Sequence, residues 1–154
     1  MTAVPTTIVV RDLRHDHLDE VIRIDAVHTG EKKPRYWNRV FQDFLDVGRE
    51  PLRVGLTAEN EERLVGYLLG EVRAFEFGSE ACGWVFAVGV DPEDARRGVA
   101  SALLEEACVR FRRAGVRRVR TMVGRSDVNV LSFFRANGFV GGSFVQLERN
   151  LEEA

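Results

Sequence analysis

The chain has 154 residues, of which 45% are hydrophobic and 30% are charged, and its formal net charge is −2. These values predict a single globular domain over residues 1–154 and exclude a disordered or fibrous protein. No apolar run approaches the roughly 20 residues that a membrane helix needs, and so weak a net charge disfavours a nucleic-acid-binding protein.

The first half of the chain predicts a short strand and two helices, followed by a polar hairpin. The helices are indicated by apolar residues at helical spacing, and the hairpin by two strand-like runs around the turn ENEE. In order, the predicted elements are a strand over 7–11, a helix over 16–30, a helix over 34–48, and strands over 52–57 and 64–75.

The second half predicts a strand, a long helix and a parallel strand, followed by a short helix and a last strand. The long helix has its apolar stripe at Ala100, Leu103, Leu104, Ala107, Cys108 and Phe111. The remaining predicted elements are strands over 82–90 and 119–123, a helix over 128–136, and a strand over 144–151. The fold class is therefore α+β, with a mixed sheet and one strand–helix–strand crossover, which should be right-handed.

Cysteine and histidine usage gives little sign of covalent or metal chemistry. Cys82 and Cys108 cannot form a disulfide framework, and neither lies in a CxxC motif. The start MTAVPTTIVV lacks the basic segment of a secretory signal, so we expect a cytoplasmic protein. His15 and His17 have no evident third ligand; we predict no metal site and interpret both as solvated surface residues.

Residues 85–104, VFAVGVDPEDARRGVASALL, carry the clearest functional signal. A buried strand leads through a proline-containing loop to RRGVAS, where the long helix begins. The first turn of a helix has backbone N–H groups without intrahelical partners, and they form an anion site. Gly98 allows a ligand to approach the backbone, and Arg96 and Arg97 add positive charge. The glycines match neither a Walker loop nor a GxGxxG motif.

These residues resemble the acetyl-CoA motif of the GNAT superfamily of N-acetyltransferases, Gln/Arg-x-x-Gly-x-Gly/Ala, at positions 95–100. The stretch SDVNVLSFFRANGF, residues 126–139, resembles a later helix of that family. The resemblance follows the order of elements through most of residues 52–150. It implies a GNAT-like fold, a mostly antiparallel sheet flanked by helices, with the crossover at the acetyl-CoA site.

The resemblance also implies roles for individual residues. N–H groups around Arg96, Arg97, Gly98, Val99, Ala100 and Ser101 would hold the pyrophosphate of acetyl-CoA. The backbone of Val88 and Val90 would pair with the pantetheine arm, and an N–H near Val88 would polarise the thioester. Asp127 and Phe134 fall at family cofactor positions but replace the usual Asn and Tyr, and Ala95 replaces Gln or Arg.

Loss of the tyrosine affects the leaving thiol, whereas the acceptor amine needs a base. A thiol of pKa ~8.5 that leaves as a thiolate at neutral pH costs only roughly 2 kcal/mol of free energy relative to the protonated thiol. A lysine-like amine of pKa ~10.4, in contrast, is rarely neutral at that pH. Glu71 and Glu76, on or after the strand that faces the thioester, are the candidate bases. For each, a surface carboxylate without a catalytic role is an open alternative.

The resemblance thus implies direct acetyl transfer from acetyl-CoA to a primary amine on a small molecule or peptide. Its alternative is an acyl-CoA-binding sensor of the same fold without turnover. Tyr36, Trp37 and Phe41 are expected in the core, although the first two helices often line the acceptor pocket in this family. Dimers are common in the family, and we expect neither nucleic-acid nor membrane partners.

Overall fold

The computed structural model describes residues 7–45, 52–61 and 63–152. These fall into two compact units, residues 1–122 and 123–154, and each is described separately. The expected end of the second helix at Gly48 lies outside the described residues. Within the described ranges, no helix has the length and apolar character needed to cross a membrane.

The first unit contains a five-stranded sheet and three helices. Strands β1 to β5 are adjacent in chain order; all neighbours are antiparallel except β4 and β5, which are parallel. The elements are β1 (Val9–Asp12), α1 (Leu18–Thr29), α2 (Pro34–Leu45), β2 (Arg53–Asn60), β3 (Arg63–Arg73), β4 (Cys82–Val90), α3 (Val99–Arg113) and β5 (Val119–Thr121). The predicted α+β class, mixed sheet and parallel crossover are confirmed.

The helices pack on both faces of this sheet. On one face, apolar residues of α1 and α2 form a buried cluster with β3: Leu13, Val21, Ile24, Trp37, Phe41, Leu64, Tyr67 and Leu69. Side chains alternate between the faces of β3 from Gly66 onward, so Gly66 and Gly70 point to the face opposite Tyr67 and Leu69. There, α3 packs so closely that a Cβ at Gly66 would lie 2.8 Å from Val99, and one at Gly70 would lie 3.0 Å from Phe111.

The second unit contains α4 (Val128–Ala136), with the bounds that the sequence predicted. The expected strand over 144–151 is wrong, since the structure has no strand there. Val145 and Leu147 are 80% and 89% exposed. The alternation of apolar and polar residues suits a strand, but a strand also needs a neighbour for its backbone groups, and the described part of this unit contains no other strand.

His17 corrects a second expectation, because it is buried and not a solvated surface residue. Both of its ring nitrogens have partners: Nδ1 accepts the Arg14 N–H at 2.9 Å, and Nε2 lies 2.9 Å from Glu59 Oε1. A satisfied imidazole can be buried at low cost, and the HxH pattern alone does not reveal these partners. His15, two residues earlier, is exposed as expected.

We expect Gly83→Ala to destabilise the protein, because a Cβ at this position would lie 2.8 Å from the Phe111 ring. Overpacking of this kind costs about 1–3 kcal/mol of unfolding free energy, which urea denaturation would measure. Gly141→Ala is the control, since nothing lies within 4 Å of its Cβ position. Equal stability of the two variants would contradict the described packing of α3 on β4.

Candidate active site

A bulge in β4 decides which peptide groups of this strand face away from β3. Leu69 pairs with Ala87 while the next residue, Gly70, pairs with Val85, so Phe86 is an extra residue in β4. Before the bulge, the Val85 carbonyl faces β5, where it accepts the Thr121 hydroxyl at 2.8 Å.

After the bulge, the alternation is reversed. Asp91 donates its N–H to the Val65 carbonyl at 2.8 Å and therefore faces β3, although it is an even number of residues from Val85. The peptide groups of Val88 and Val90 consequently face away from β3. In agreement, the Val90 carbonyl lies 2.7 Å from His28 Nε2, which must be the donor because a carbonyl only accepts.

The same side of β4 is not covered by β5 beyond the bulge. The parallel pairing joins Gly83, Trp84 and Val85 to Val119–Thr121, where β5 ends. Within the described residues of the first unit, β4 therefore has an open edge from Phe86 to Val90. Backbone N–H and C=O groups on such an edge can pair with an extended ligand as they would with another strand.

The loop after β4 ends at the N-terminus of α3, where two residues adopt left-handed backbone conformations. Arg96 has φ +66° and Gly98, the N-cap residue, has φ +78°. Nothing lies within 4 Å of the Cβ position at Gly98. The Ala102 N–H donates to the Gly98 carbonyl, so the N–H groups of Val99 and Ala100 lie in the first turn, ahead of this intrahelical bond. This turn can hold an anion.

Asp91 fixes the start of this loop. Its buried carboxylate accepts the Glu93 N–H at 3.1 Å and the Arg23 guanidinium at 3.0 Å, and Arg63 lies 3.4 Å away. Burial opposes ionisation of Asp91, but the Glu93 N–H and the two arginines outweigh it and lower the pKa of this carboxyl. Asp91 is therefore ionised at neutral pH and anchors the loop to α1 and β3.

Asp94 provides a second anchor closer to the helix. Its side chain is 1% exposed; Oδ2 accepts from Arg63 at 2.8 Å, and Oδ1 lies 3.6 Å from Arg97. Arg63 thus contacts both buried carboxylates of the loop. The predicted anion-binding residue Arg97 is held beside the helix N-terminus by this pair, although Asp94 neutralises part of its charge.

A cleft of about 360 Å³ lies between α1, α2 and β4, on the sheet face opposite α3. Half of its lining residues are aromatic, and Val88 belongs both to the cleft and to the open edge of β4. The lining residues are Asp25, Lys33, Tyr36, Trp37, Tyr67, Phe86, Ala87 and Val88. A cleft with aromatic walls and few polar groups is typical of a small-molecule site.

Among the described residues that line the cleft, Asp25 is the single carboxylate. Its side chain is 15% exposed; Oδ2 accepts the Trp37 indole N–H at 3.0 Å and lies 3.5 Å from Lys33 Nζ. Burial, and then the Asp25 carboxylate, raise the pKa of Tyr36 and of Tyr67. Both phenols are therefore protonated at neutral pH, where they can donate hydrogen bonds but cannot act as bases.

Gly89 lies directly beneath the Tyr67 ring. The two residues pair across β3 and β4, and a Cβ at position 89 would come within 2.5 Å of the ring atoms and the hydroxyl of Tyr67. Only glycine leaves room for the ring in this position, so the shape of the cleft depends on it.

The candidate bases, Glu71 and Glu76, do not line this cleft. Glu71 pairs with Trp84 across the strands, whereas Val88 pairs with Leu68. Glu71 therefore lies three residues along β3 from the partner of Val88, which corresponds to a distance of about 10 Å along the strand. Its carboxylate lies 3.3 Å from Arg73 and 3.7 Å from Arg53. Glu76 follows β3, is half exposed, and lies 3.9 Å from Arg73.

Asp127 and Phe134 belong to the second unit. Asp127 is the N-cap residue of α4, and its carboxylate accepts the Val130 N–H at 3.2 Å. Phe134 is buried, with its ring edge-on to Phe133 and Phe139. Asp127 thus caps the helix, a role for which a side chain that only accepts hydrogen bonds is suited. Phe134 packs among apolar rings, and its own side chain has no hydroxyl.

The sequence interpretation missed Asp25 and Tyr67 as site residues. Asp25 follows the buried residues Val21 and Ile24 on α1, and its spacing of four from Val21 puts a charge on the apolar face of the helix. That mismatch is a usable signal. Tyr67 gave none, because an aromatic residue in a buried strand is ordinary core. Of the three aromatic residues considered, Tyr36 and Trp37 line the cleft, and Phe41 is buried in the core.

One of the comparisons with known proteins identifies a family. The family model described as "Acetyltransferase (GNAT) family" matches residues 16–139. The search of curated proteins returned no match.

Solved structures share the fold at low identity. The aminoglycoside N-acetyltransferase AAC(6')-Iy in complex with CoA is 14% identical, with a TM-score of 0.81 over 98% of this chain and 99% of that one. AAC(6')-IG from Acinetobacter haemolyticus is 16% identical, with a TM-score of 0.74 over 93% and 99%. A transcriptional regulator from Bacillus halodurans C-125 is 16% identical, with a TM-score of 0.78 over 94% and 100%.

We expect Asp91→Asn to remove an acid-sensitive part of the stability. Because the folded pKa lies below the unfolded value of ~3.9, ionised Asp91 stabilises the protein above that pH, and the contribution is lost as the pH falls through the folded value. Wild type should exceed the variant by about 1–2 kcal/mol of unfolding free energy at neutral pH, and the difference should shrink below about pH 4.

Urea denaturation over that pH range measures the difference, with Glu93→Gln as control. Glu93 is the neighbouring carboxylate and its side chain is 82% exposed, so its replacement should change stability by less than about 0.5 kcal/mol. A difference between wild type and Asp91→Asn that stays constant with pH would contradict the role of the ionised carboxylate.

Proposed function

The chain belongs to the GNAT family of acetyltransferases, and from this premise we propose that it transfers the acetyl group of acetyl-CoA directly to a primary amine on a small molecule. The observation that carries the proposal is the position of Val88, which lies on the open edge of β4 and also lines the aromatic cleft. A thioester held along that edge would present its carbonyl to an amine in the cleft. A cytoplasmic location and a homodimer stay predictions from the sequence.

The open edge and the helix N-terminus together suit the two ends of acetyl-CoA. The pantetheine arm would pair with the carbonyl of Val88 and the N–H of Val90, because His28 already donates to the Val90 carbonyl and the Val88 N–H is left for the thioester. The pyrophosphate would be bound by the first-turn N–H groups at Val99, Ala100 and Ser101, beside Arg96 and Arg97. The empty space at Gly98 allows the phosphates to approach the backbone.

The reaction needs one polarised carbonyl and one neutral amine. The Val88 N–H would hydrogen-bond to the thioester oxygen and stabilise the negative charge that forms there during attack. The nitrogen bonds to the acetyl carbon, the carbon–sulfur bond breaks, and CoA leaves as a thiolate that water protonates. An acceptor that arrives as an ammonium ion loses one proton to a base before the attack, and its nitrogen loses a second proton as the amide forms, which water carries to the thiolate. Holding both reactants at Val88 supplies proximity and orientation.

Glu71 is our candidate for that base, and Glu76 is the second candidate. Glu71 is partly buried on the strand next to Val88, and a water chain along β3 would have to cover the intervening distance of about 10 Å. Its carboxylate contacts Arg73 at 3.3 Å and Arg53 at 3.7 Å.

A sensor without turnover is the second candidate function. Its support is Phe134, which offers no hydroxyl at the position where the family motif has a tyrosine. The two functions differ in one measurement: an enzyme releases CoA thiol when acetyl-CoA is supplied with a panel of amines, whereas a sensor binds acetyl-CoA and releases none. The solved acetyltransferases of this fold named above act on aminoglycosides, which favours the enzyme and a small-molecule acceptor.

We expect Gly98→Val to abolish acetyl-CoA binding in isothermal titration calorimetry, because its side chain would occupy the space through which the phosphates reach the helix. Gly115→Val is the matched control. Gly115 lies just past the other end of α3 with φ +85°, so valine suffers the same backbone strain there, about 1–2 kcal/mol, without touching the ligand. Unchanged acetyl-CoA affinity in Gly98→Val, or equal loss in both variants, would contradict the proposed site.

We expect Glu71→Gln to lower kcat by at least about tenfold at neutral pH and by less than about threefold near pH 10, where the amine is already neutral. Steady-state thiol release over that range measures the effect, and Glu76→Gln is assayed in parallel as the second candidate. Glu61→Gln, at the exposed turn between β2 and β3, is the control. A pH-independent change in Glu71→Gln would show that this residue is not the base.

A further inference from the structure

We propose that the cleft selects acceptors with a single ammonium group on an aromatic body, and that Asp25 is the residue that recognises the ammonium group. This inference rests on the proposed function, since it names the acceptor class for the same site. It distinguishes the chain from the aminoglycoside acetyltransferases that share its fold, whose substrates carry several ammonium groups.

The charges of the cleft set the charge of the acceptor. Among the described residues that line it, Asp25 is the single anion and Lys33 the single cation. A polyamine or an aminoglycoside would place its further ammonium groups against aromatic and aliphatic side chains, where no carboxylate compensates for their lost hydration. One carboxylate suits one ammonium group.

The walls set the shape of the acceptor. The Trp37 ring lies edge-on to Tyr36 at 5.1 Å and to Tyr67 at 5.5 Å between ring centroids, and Phe86 completes the aromatic lining. Such rings bind a flat apolar group by offset or edge-on contacts, and their faces also attract an ammonium ion. An aromatic amine satisfies both the walls and the carboxylate.

Lys33 indicates where the ammonium group binds. Its Nζ lies 3.5 Å from Asp25 Oδ2, so the structure already holds an ammonium ion against this carboxylate. The Lys33 side chain is 37% exposed, and an incoming amine can displace it into solvent. The Trp37 indole N–H fixes the Asp25 carboxylate at 3.0 Å and leaves its other lone pairs for the acceptor.

Two variants, each with a matched control, and a small amine panel test the inference by CoA thiol release. The panel comprises 2-phenylethylamine, n-butylamine, spermidine and kanamycin, and we expect 2-phenylethylamine to have the highest kcat/KM, by at least about tenfold over spermidine and kanamycin. Asp25→Asn keeps an oxygen for the Trp37 indole but loses the charge. It should raise KM for 2-phenylethylamine at least about tenfold and leave kcat and the KM for acetyl-CoA within about threefold.

Lys33→Met should lower KM for 2-phenylethylamine at least about threefold, because it removes the competing ammonium ion. Two matched control variants change the net charge by the same amount as the two test variants. Asp19→Asn changes an exposed carboxylate on the same helix, and Lys32→Met changes the exposed lysine next to Lys33. Neither should alter KM for the amine.

Binding without turnover provides an independent measurement. The chain has two tryptophans, so in Trp84→Phe the fluorescence comes from Trp37 alone. Titration with 2-phenylethylamine should change that emission, and Asp25→Asn should weaken the apparent affinity at least about tenfold. Amine binding that depends on Asp25 with no thiol release would overturn the proposed function but not this inference. Efficient turnover of spermidine or kanamycin, or an Asp25→Asn defect confined to kcat, would overturn the inference alone.

Discussion

The extra residue in β4 is the constraint on which the site depends. Without Phe86 as a bulge, the strand would keep its alternation, and the peptide groups of Ala87 and Gly89 would face away from β3 in place of those of Val88 and Val90. The pairing with β5 ends at Val85, just before the bulge, so within the described residues of the first unit this side of β4 is open beyond it. The single extra residue thus decides which hydrogen-bonding groups the open edge presents.

The second part of the site is held by charge. The loop after β4 contains two residues in left-handed backbone conformations, Arg96 and Gly98, just before α3. Asp91 and Asp94 are buried in this loop, and Arg63 contacts both carboxylates. Removal of one partner from such a group is costly, because a buried charge is left without its partner. These contacts therefore hold the backbone before α3 in place without a ligand.

The sequence predicts the frame of this protein better than its chemistry. Helical spacing and terminal residues such as Pro34, Gly30 and Asn137 locate the four helices, because those signals are local. The glycine motif at Gly98 locates the helix N-terminus for the same reason. The bulge has no local signal, since Phe86 is an ordinary strand residue, and it appears only when the register of β3 and β4 is known. Asp25 has a local signal, a charge on the apolar face of α1, but its contacts with Lys33 and Trp37 are known only from the fold. The prediction of a strand over 144–151 was wrong for the opposite reason. The local alternation of apolar and polar residues is present there, but the neighbouring strand that a strand requires is not found in the described part of this unit.

The contact between Gly89 and Tyr67 has a consequence for how acceptor preference can change. The ring rests on a position without a side chain, so a single methyl group there would push the phenol toward α2 and make the cavity smaller. Gly89 would therefore help to set the size of molecule that the cleft accepts, although it does not line the cleft. A search for specificity determinants among the lining residues alone would overlook this glycine.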